Sequence, residues 1–191
     1  SGIDGLLLHG APPSPQNREK LRRFPTVWLM GNRRRPDWGD QVMPDTYEIG
    51  DKAARYLLRR GHTRLAFMNL DHGHWPFRVA CQSFVSRAEE EGAACEVMER
   101  SRSDDEHTYW PQYAGGAADQ LVKRYLKLKP RPTGVFVADD MQVAIIQPAL
   151  QRAGVKIAPG QVELISCNNE RPYLAGLSPQ PAEIDIRVEA I

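Results

Sequence analysis

The chain has 191 residues, of which 41% are hydrophobic and 26% charged, with 25 Lys plus Arg against 24 Asp plus Glu. That length suits one domain or two small ones, and a net charge of +1 supplies no global field to draw the chain onto nucleic acid or an anionic membrane. The three cysteines, Cys81, Cys95 and Cys167, are odd in number, far apart and without a CxxC pair; they imply neither a disulfide framework nor a zinc ribbon, and they favour a reducing compartment.

In chain order, the opening SGIDGLLLHG lacks the basic flank and small-residue cleavage site of a signal peptide. No apolar stretch exceeds strand length, which is too short to cross a bilayer, so a cytoplasmic chain with no membrane partner is expected. The run Ile3 to Leu8 predicts a first strand, Pro12, Pro13 and Pro15 a loop, and Thr26 to Met30 a second strand. Arg33, Arg34 and Arg35 sit in a loop reaching Asp40, which reads as a solvated surface or a contact for an anionic ligand or neighbouring subunit. Ile49, Ala53, Ala54, Leu57 and Leu58 recur at helical spacing over Tyr47 to Arg60. Arg59 and Arg60 favour that helix's negative end and Gly61 stops it. Leu65 to Leu70 predicts a third strand, and Phe84, Val85 and Ala88 mark a helix over Val79 to Glu91, closed by Gly92. A loop over Ser101 to His107, a helix over Gly115 to Leu128, a strand over Gly134 to Ala138, a helix over Asp140 to Ala153 and a strand over Val162 to Ser166 follow. The segment Asn168 to Pro181 is long for a connection inside a compact domain, which predicts a functional loop or a passage between lobes.

Short apolar runs alternating with amphipathic stretches predict an α/β fold, with parallel sheets covered by helices on both faces. Ligands of such sheets bind beyond the carboxyl ends of the strands. The residues there are Asn32 and Arg33; Asp71, His72, His74 and Trp75; Asp139 and Asp140; and Asn168 and Asn169. Gathered on one rim, these carboxylates, amides and aromatics suit a polyhydroxylated ligand. DHGHW fits part of a metal shell, the rim of a ligand site or a solvated loop, and its two-residue spacing without a distant partner argues against metal. Of Asp139 and Asp140, one is expected to cap the following helix and the other to face the cleft, rather than the two forming a catalytic pair. Trp75, Phe77 and Trp110 are either core or stacking faces. The chain contains no GxxxxGK[ST], GxGxxG, HExxH or GxSxG, which favours a binding module without a cofactor over an enzyme.

Five segments, in order, resemble the effector-binding core of LacI/GalR-type bacterial transcription regulators: IDGLLL, PTVWLMGN, MPDTYEIGDKAARYLLRRGHTRLAFMNL, PTGVFVADDMQVAIIQPALQRAGVKIAPGQVELISCNN and PQPAEIDIRVEAI. The third is the most specific, its GHTRLA being similar to the family's "GHRRIA". The resemblance implies two Rossmann-like lobes with parallel sheets, of the periplasmic-binding-protein-like type I, and a small polar effector, sugar or sugar-like, in the cleft between them. It implies a partial N-terminal lobe over residues 1–61, a C-terminal lobe over 62–183 and a return strand over 184–191, with crossings at Gly61 to Arg64 and near Glu183 to Ile186.

Carried over by motif, Arg78 is the main effector anchor, Asp139 stands where the family has Asn, Asn168 where it has Asp, and Asp45 contributes from the other lobe. Trp75 is a candidate stacking face, and His74 and Asn32 complete the rim. The exchange of charge at 139 and 168 implies that the effector need not be a typical family sugar, and Cys81 stands where the family has Gly. The resemblance also implies a homodimer that contacts operator DNA only through a helix-turn-helix head preceding Ser1, with a closing helix after Ile191. The rival readings are a transport-type periplasmic sugar-binding protein, which shares the fold, and an enzyme on the same scaffold, which would need a nucleophile–base pair.

Overall fold

The computed structural model describes residues 2–10, 13–100 and 111–187, the side chains of 111–115 excepted. Pro12, the loop expected at Ser101 to His107, and Trp110 lie outside the described residues. Two parallel sheets are built from β1 (Leu6–His9), α1 (Pro15–Leu21), β2 (Thr26–Leu29), β3 (Asp40–Val42), α2 (Thr46–Arg59), β4 (Arg64–Asn69), α3 (Trp75–Glu90), β5 (Ala94–Glu99), α4 (Pro111–Lys127), β6 (Gly134–Val137), α5 (Asp140–Arg152), β7 (Glu163–Cys167), α6 (Arg171–Leu174) and β8 (Ala182–Ile184). The larger sheet has the order β5-β4-β6-β7-β8 and the smaller β1-β2-β3. Every ladder is parallel.

The larger sheet is buried on both faces, which is why its central strands read as unbroken apolar runs. Successive side chains point to opposite faces. Leu65, Phe67, Phe136 and Ile165 meet Ala53, Leu57 and Phe84 of α2 and α3 on one side. Ala66, Met68, Val135, Val137 and Leu164 meet Leu121, Tyr125, Ile146 and Leu150 of α4 and α5 on the other. Phe67 packs on Phe84 and Phe136 with ring centroids 6.4 and 5.4 Å away. Each such fully buried large side chain contributes about 1.5–3 kcal/mol.

The sharp change of character at Arg59 to Leu65 has a local cause. Gly61 adopts φ +87°, a left-handed conformation that ends α2 at no steric cost. His62 then turns inward, only 6% exposed, with Nδ1 2.9 Å from the Thr133 hydroxyl. From there the chain enters β4.

The smaller sheet is thinner. Trp28 is its largest buried side chain, packed edge-on against Trp38 with centroids 4.9 Å apart, and its Nε1 donates to the Trp38 carbonyl at 2.8 Å. On the opposite face Leu7 and Val42 are 73% and 42% exposed. The N-terminal lobe is partial.

Packing divides the chain differently from the expected boundary at residue 61. Ala53, Ala54 and Leu57 of α2 share the core of the larger sheet, so α2 belongs with that sheet, and the chain leaves the smaller one after β3, around Met43 to Asp45. The segment Asn168 to Pro181 is no passage between lobes either: α6 lies within it, and it joins β7 to its neighbour β8 in one sheet. The helix after β4 starts at Trp75, four residues before the expected Val79.

Candidate functional site

Both sheets turn the carboxyl ends of their strands toward one cleft. A cavity of about 370 Å³ lies there. His9 and Met30 line it from the smaller sheet, and Thr46, Ile49, Pro76, Phe77 and Ala80 from α2 and α3. Asp71, Ala138, Asp139, Cys167, Asn168, Glu170 and Ile186 come from the ends of the larger sheet's strands and the segments after them. A second cavity, of about 450 Å³, shares His9, Met30 and His74 and extends over Trp28, Asn32, Arg33, Asp37 and Gln41. The two lobes also touch directly, the Trp75 amide donating to Asn32 Oδ1 at 2.5 Å.

Asp139 is the most constrained polar group in the cleft, only 5% exposed. Its Oδ1 accepts the Gln142 amide at 2.7 Å, capping α5. The Gln142 side chain binds back, 3.4 Å from Asp139 Oδ2 and 3.3 Å from Asn69 Oδ1, while its Oε1 accepts the Leu70 amide at 2.6 Å. Asn69 in turn donates to Glu99 Oε1 at 3.1 Å. One buried amide network therefore locks together the ends of β4, β5 and β6, and satisfied buried networks of this kind rigidify what they join.

Burial pushes the Asp139 carboxyl up to about 7, against the opposing hydrogen bonds from Gln142, with the charges of Glu170 and Asp140 adding to the rise. Asp140 is fully buried and does not face the cleft; its carboxylate accepts from the Ser166 hydroxyl and from the Glu170 amide at 2.6 Å. The two roles expected of the pair thus fall on Asp139 alone. Burial also pushes His74 below the usual imidazole range, so it carries no charge at neutral pH.

The structure brings together Asp139, Asn168 and His74 in the first cavity and Asn32 and His74 in the second. It does not bring Arg78, Asp45 or Trp75 to either lining. Arg78 is exposed because α3 presents Pro76, Phe77 and Ala80 to the cleft, and residues three to four apart share a helix face while an intervening one does not. Asp45 is exposed and turns its Oδ1 to the Glu48 amide at 3.0 Å as the N-cap of α2. Asp45→Ala is accordingly expected to cost about 1 kcal/mol of unfolding free energy, read as a lower denaturant midpoint at unchanged slope. Trp75 serves through its backbone rather than its ring. Arg33 is paired with Asp37 at 2.8 Å.

Sequence reasoning missed Glu170, Met43, Met141 and Cys167 as cleft residues. Glu170 had a signal, since it follows the last rim pair by one position; the sulfur-bearing side chains read only as core. Asn168 and Asn169 hold φ of 111° and 58°, values that Asn tolerates better than most residues, so this turn is shaped by the two amides themselves.

A periplasmic binding protein-like domain matches residues 54–191. The HTH-type transcriptional repressor PurR of Vibrio atlanticus is 26% identical over 87% of this chain and 48% of its own length. The ribose operon repressor of Escherichia coli is 27% identical over 81% of this chain and 45% of its own length. The chain thus spans about half the length of these curated relatives. A LacI-family regulator from Enterococcus faecalis, solved with bound ribose, superposes with a TM-score of 0.72 at 21% identity, covering 97% of this chain and 63% of its own. One from Burkholderia phymatum gives 0.70 at 22% identity over 96% and 64%. The parallel two-sheet architecture, the cleft at the strand ends and these matches agree: the chain belongs to the periplasmic binding protein-like domain family and resembles the LacI-family regulators among its matches.

Proposed function

We propose that the chain senses a small polar molecule in the cleft and forms part of a homodimeric, cytoplasmic bacterial transcription regulator whose DNA contacts are made by a separate helix-turn-helix head. The observation that carries this reading is the cavity itself: its lining comes from both sheets, His9 and Met30 on one side and Asp139 and Asn168 on the other. A molecule touching both sides binds one relative orientation of the lobes better than others, and only that differential affinity can shift a conformational equilibrium. Asp139, Asn168, His74 and Asn32 are the polar contacts, with Phe77 as the apolar wall. The repressor names of the curated relatives and the sugars bound in neighbouring structures support a regulator taking a sugar-sized effector.

The test is a thermal-shift screen of pentoses, hexoses and nucleobases on the full chain, followed by titration calorimetry of the best hit. A ligand at a hundred times its Kd adds about 2.7 kcal/mol of stability. Ile49→Trp, which places an indole into the cavity from a partly exposed position, is expected to weaken the hit at least tenfold. Unchanged affinity in that variant would move the site elsewhere.

A further inference from the structure

The charges around the cleft are one-sided. Asp71, Asp139 and Glu170 line the first cavity, and among the described residues no Lys or Arg does. The one guanidinium bordering the second cavity, Arg33, is engaged by Asp37, which also takes Arg18 at 3.0 Å. His74 Nδ1 is buried without a hydrogen-bond partner among the described residues. Asp139 stands out among these groups. It is a nine-tenths-buried side chain on the cavity wall, and among the described residues Oδ2 has only the Gln142 side-chain amide, at 3.4 Å, as a partner and no cation is paired with it. A buried carboxylate without a countercharge is a costly arrangement in a fold, and a cation delivered from solution would complete it.

Building on the effector reading above, we propose that the cleft selects a small ligand bearing a protonated amine, an amino sugar or comparable amine-bearing polar molecule, with Asp139 as its counter-ion and Phe77 against its apolar side. Asn168 accepts from or donates to its hydroxyls, Asp71 accepts from them, and Glu170 lies at the mouth, where its charge draws cations inward. An inorganic cation fits less well, because no group of three or more His, Cys, Asp or Glu among the described residues is arranged to hold a metal. A phosphate- or carboxylate-bearing ligand would meet three carboxylates and, among the described lining residues, no Lys or Arg.

The titratable groups facing Asp139 are Asp140 of α5, Cys167 at the end of β7 and Glu170 after it, Asp71 after β4, His74 at the start of α3 and His9 at the end of β1. Asp140 and Glu170 oppose its ionisation, and an ammonium group favours it. Since burial holds the free carboxyl near 7, amine binding at pH 6 expels a proton, and the affinity of an amine that stays protonated throughout rises about tenfold between pH 6 and 8, less for one that itself begins to deprotonate in that range.

The experiment titrates the full chain calorimetrically with matched sets, for example glucose, glucosamine and glucose 6-phosphate, and the corresponding galactose and ribose derivatives, at pH 6 and 8 in buffers of different ionisation enthalpy. The expected result is an amine member at least tenfold tighter than its neutral counterpart, no binding of the phosphate member, and proton release at pH 6. Asp139→Asn should bring amine and neutral members to within about twofold of each other and flatten the pH dependence. A neutral or phosphorylated member binding as tightly as the amine overturns this inference and leaves the effector reading standing. Failure of every member of every set, with the nucleobases also silent, overturns both.

Discussion

Gly50→Ala is expected to lower unfolding free energy by about 3 kcal/mol, the reverse of what the same change does in an exposed helix. Replacing an exposed helical glycine by alanine is worth up to about 1 kcal/mol in favour of the helix. In α2, however, a Cβ on residue 50 would lie 2.0 Å from the Ala80 carbonyl oxygen and 2.1 Å from Ser83 Oγ. Ser83 could rotate, but its hydroxyl donates to that same carbonyl at 3.1 Å, and the carbonyl belongs to the backbone of α3 and cannot. The helices must separate, and overpacking of this kind costs about 1–3 kcal/mol or more. Because Thr46 and Ile49 on one helix and Phe77 and Ala80 on the other line the cavity, the same shift should loosen any ligand held there. Gly116→Ala in α4, where none of the described residues lies within 4 Å of the added Cβ, supplies the internal contrast and should gain about 0.5–1 kcal/mol. Denaturant midpoints at constant slope separate the two, and a Gly50→Ala variant as stable as the parent would show that α2 and α3 are less tightly apposed than their geometry requires.

The fold was legible wherever burial imposed a pattern. β4, β6 and β7 are covered on both faces, so continuous apolar runs marked them, and α2 and α5 carry apolar stripes closed by glycine. The missed elements lack that imprint. β5 alternates charge and bulk along ACEVME at the edge of its sheet, with only Met98 fully buried, β3 is three residues of an edge strand, and α1 buries nothing. Position after a strand end puts Asp139, Asn168 and His74 on the cavity lining, because parallel strands deliver those positions to one rim whatever their side chains. Motif alignment served less well for Arg78. A helix rotates about 100° per residue, so carrying a role to the correct neighbourhood still leaves open which of four adjacent side chains faces inward, and here it is Phe77. Asp45 failed for a different reason: a helix start needs its amides satisfied, and that local demand claimed the carboxylate before any ligand could.

Asp139→Asn is expected to stabilise the chain by about 2 kcal/mol at pH 8 and to remove most of the pH dependence of stability between pH 4 and 7. The folded carboxyl keeps its proton up to about 7 while the ordinary value is 3.8. Between those values the native state binds more protons than the unfolded one, so stability falls as pH rises through the window and stays low above it. At about 1.4 kcal/mol per unit the full shift would correspond to about 4 kcal/mol, and water entering the open cleft reduces that. Asparagine retains the Oδ1 that accepts the Gln142 amide, so the cap on α5 survives; the bond given up is the long one from the Gln142 side chain. Histidines act in the opposite sense. Burial lowers His62 and His74, whose protonation favours the unfolded chain below their ordinary range, and stability from that source rises with pH. Subtracting the variant's profile from the parent's cancels those contributions and leaves Asp139 alone. A difference profile that is flat from pH 4 to 8 would mean the carboxyl is already solvated or paired. A difference profile that falls from about pH 4 and levels off near 7 would show that the chain bears a standing electrostatic strain at its cleft.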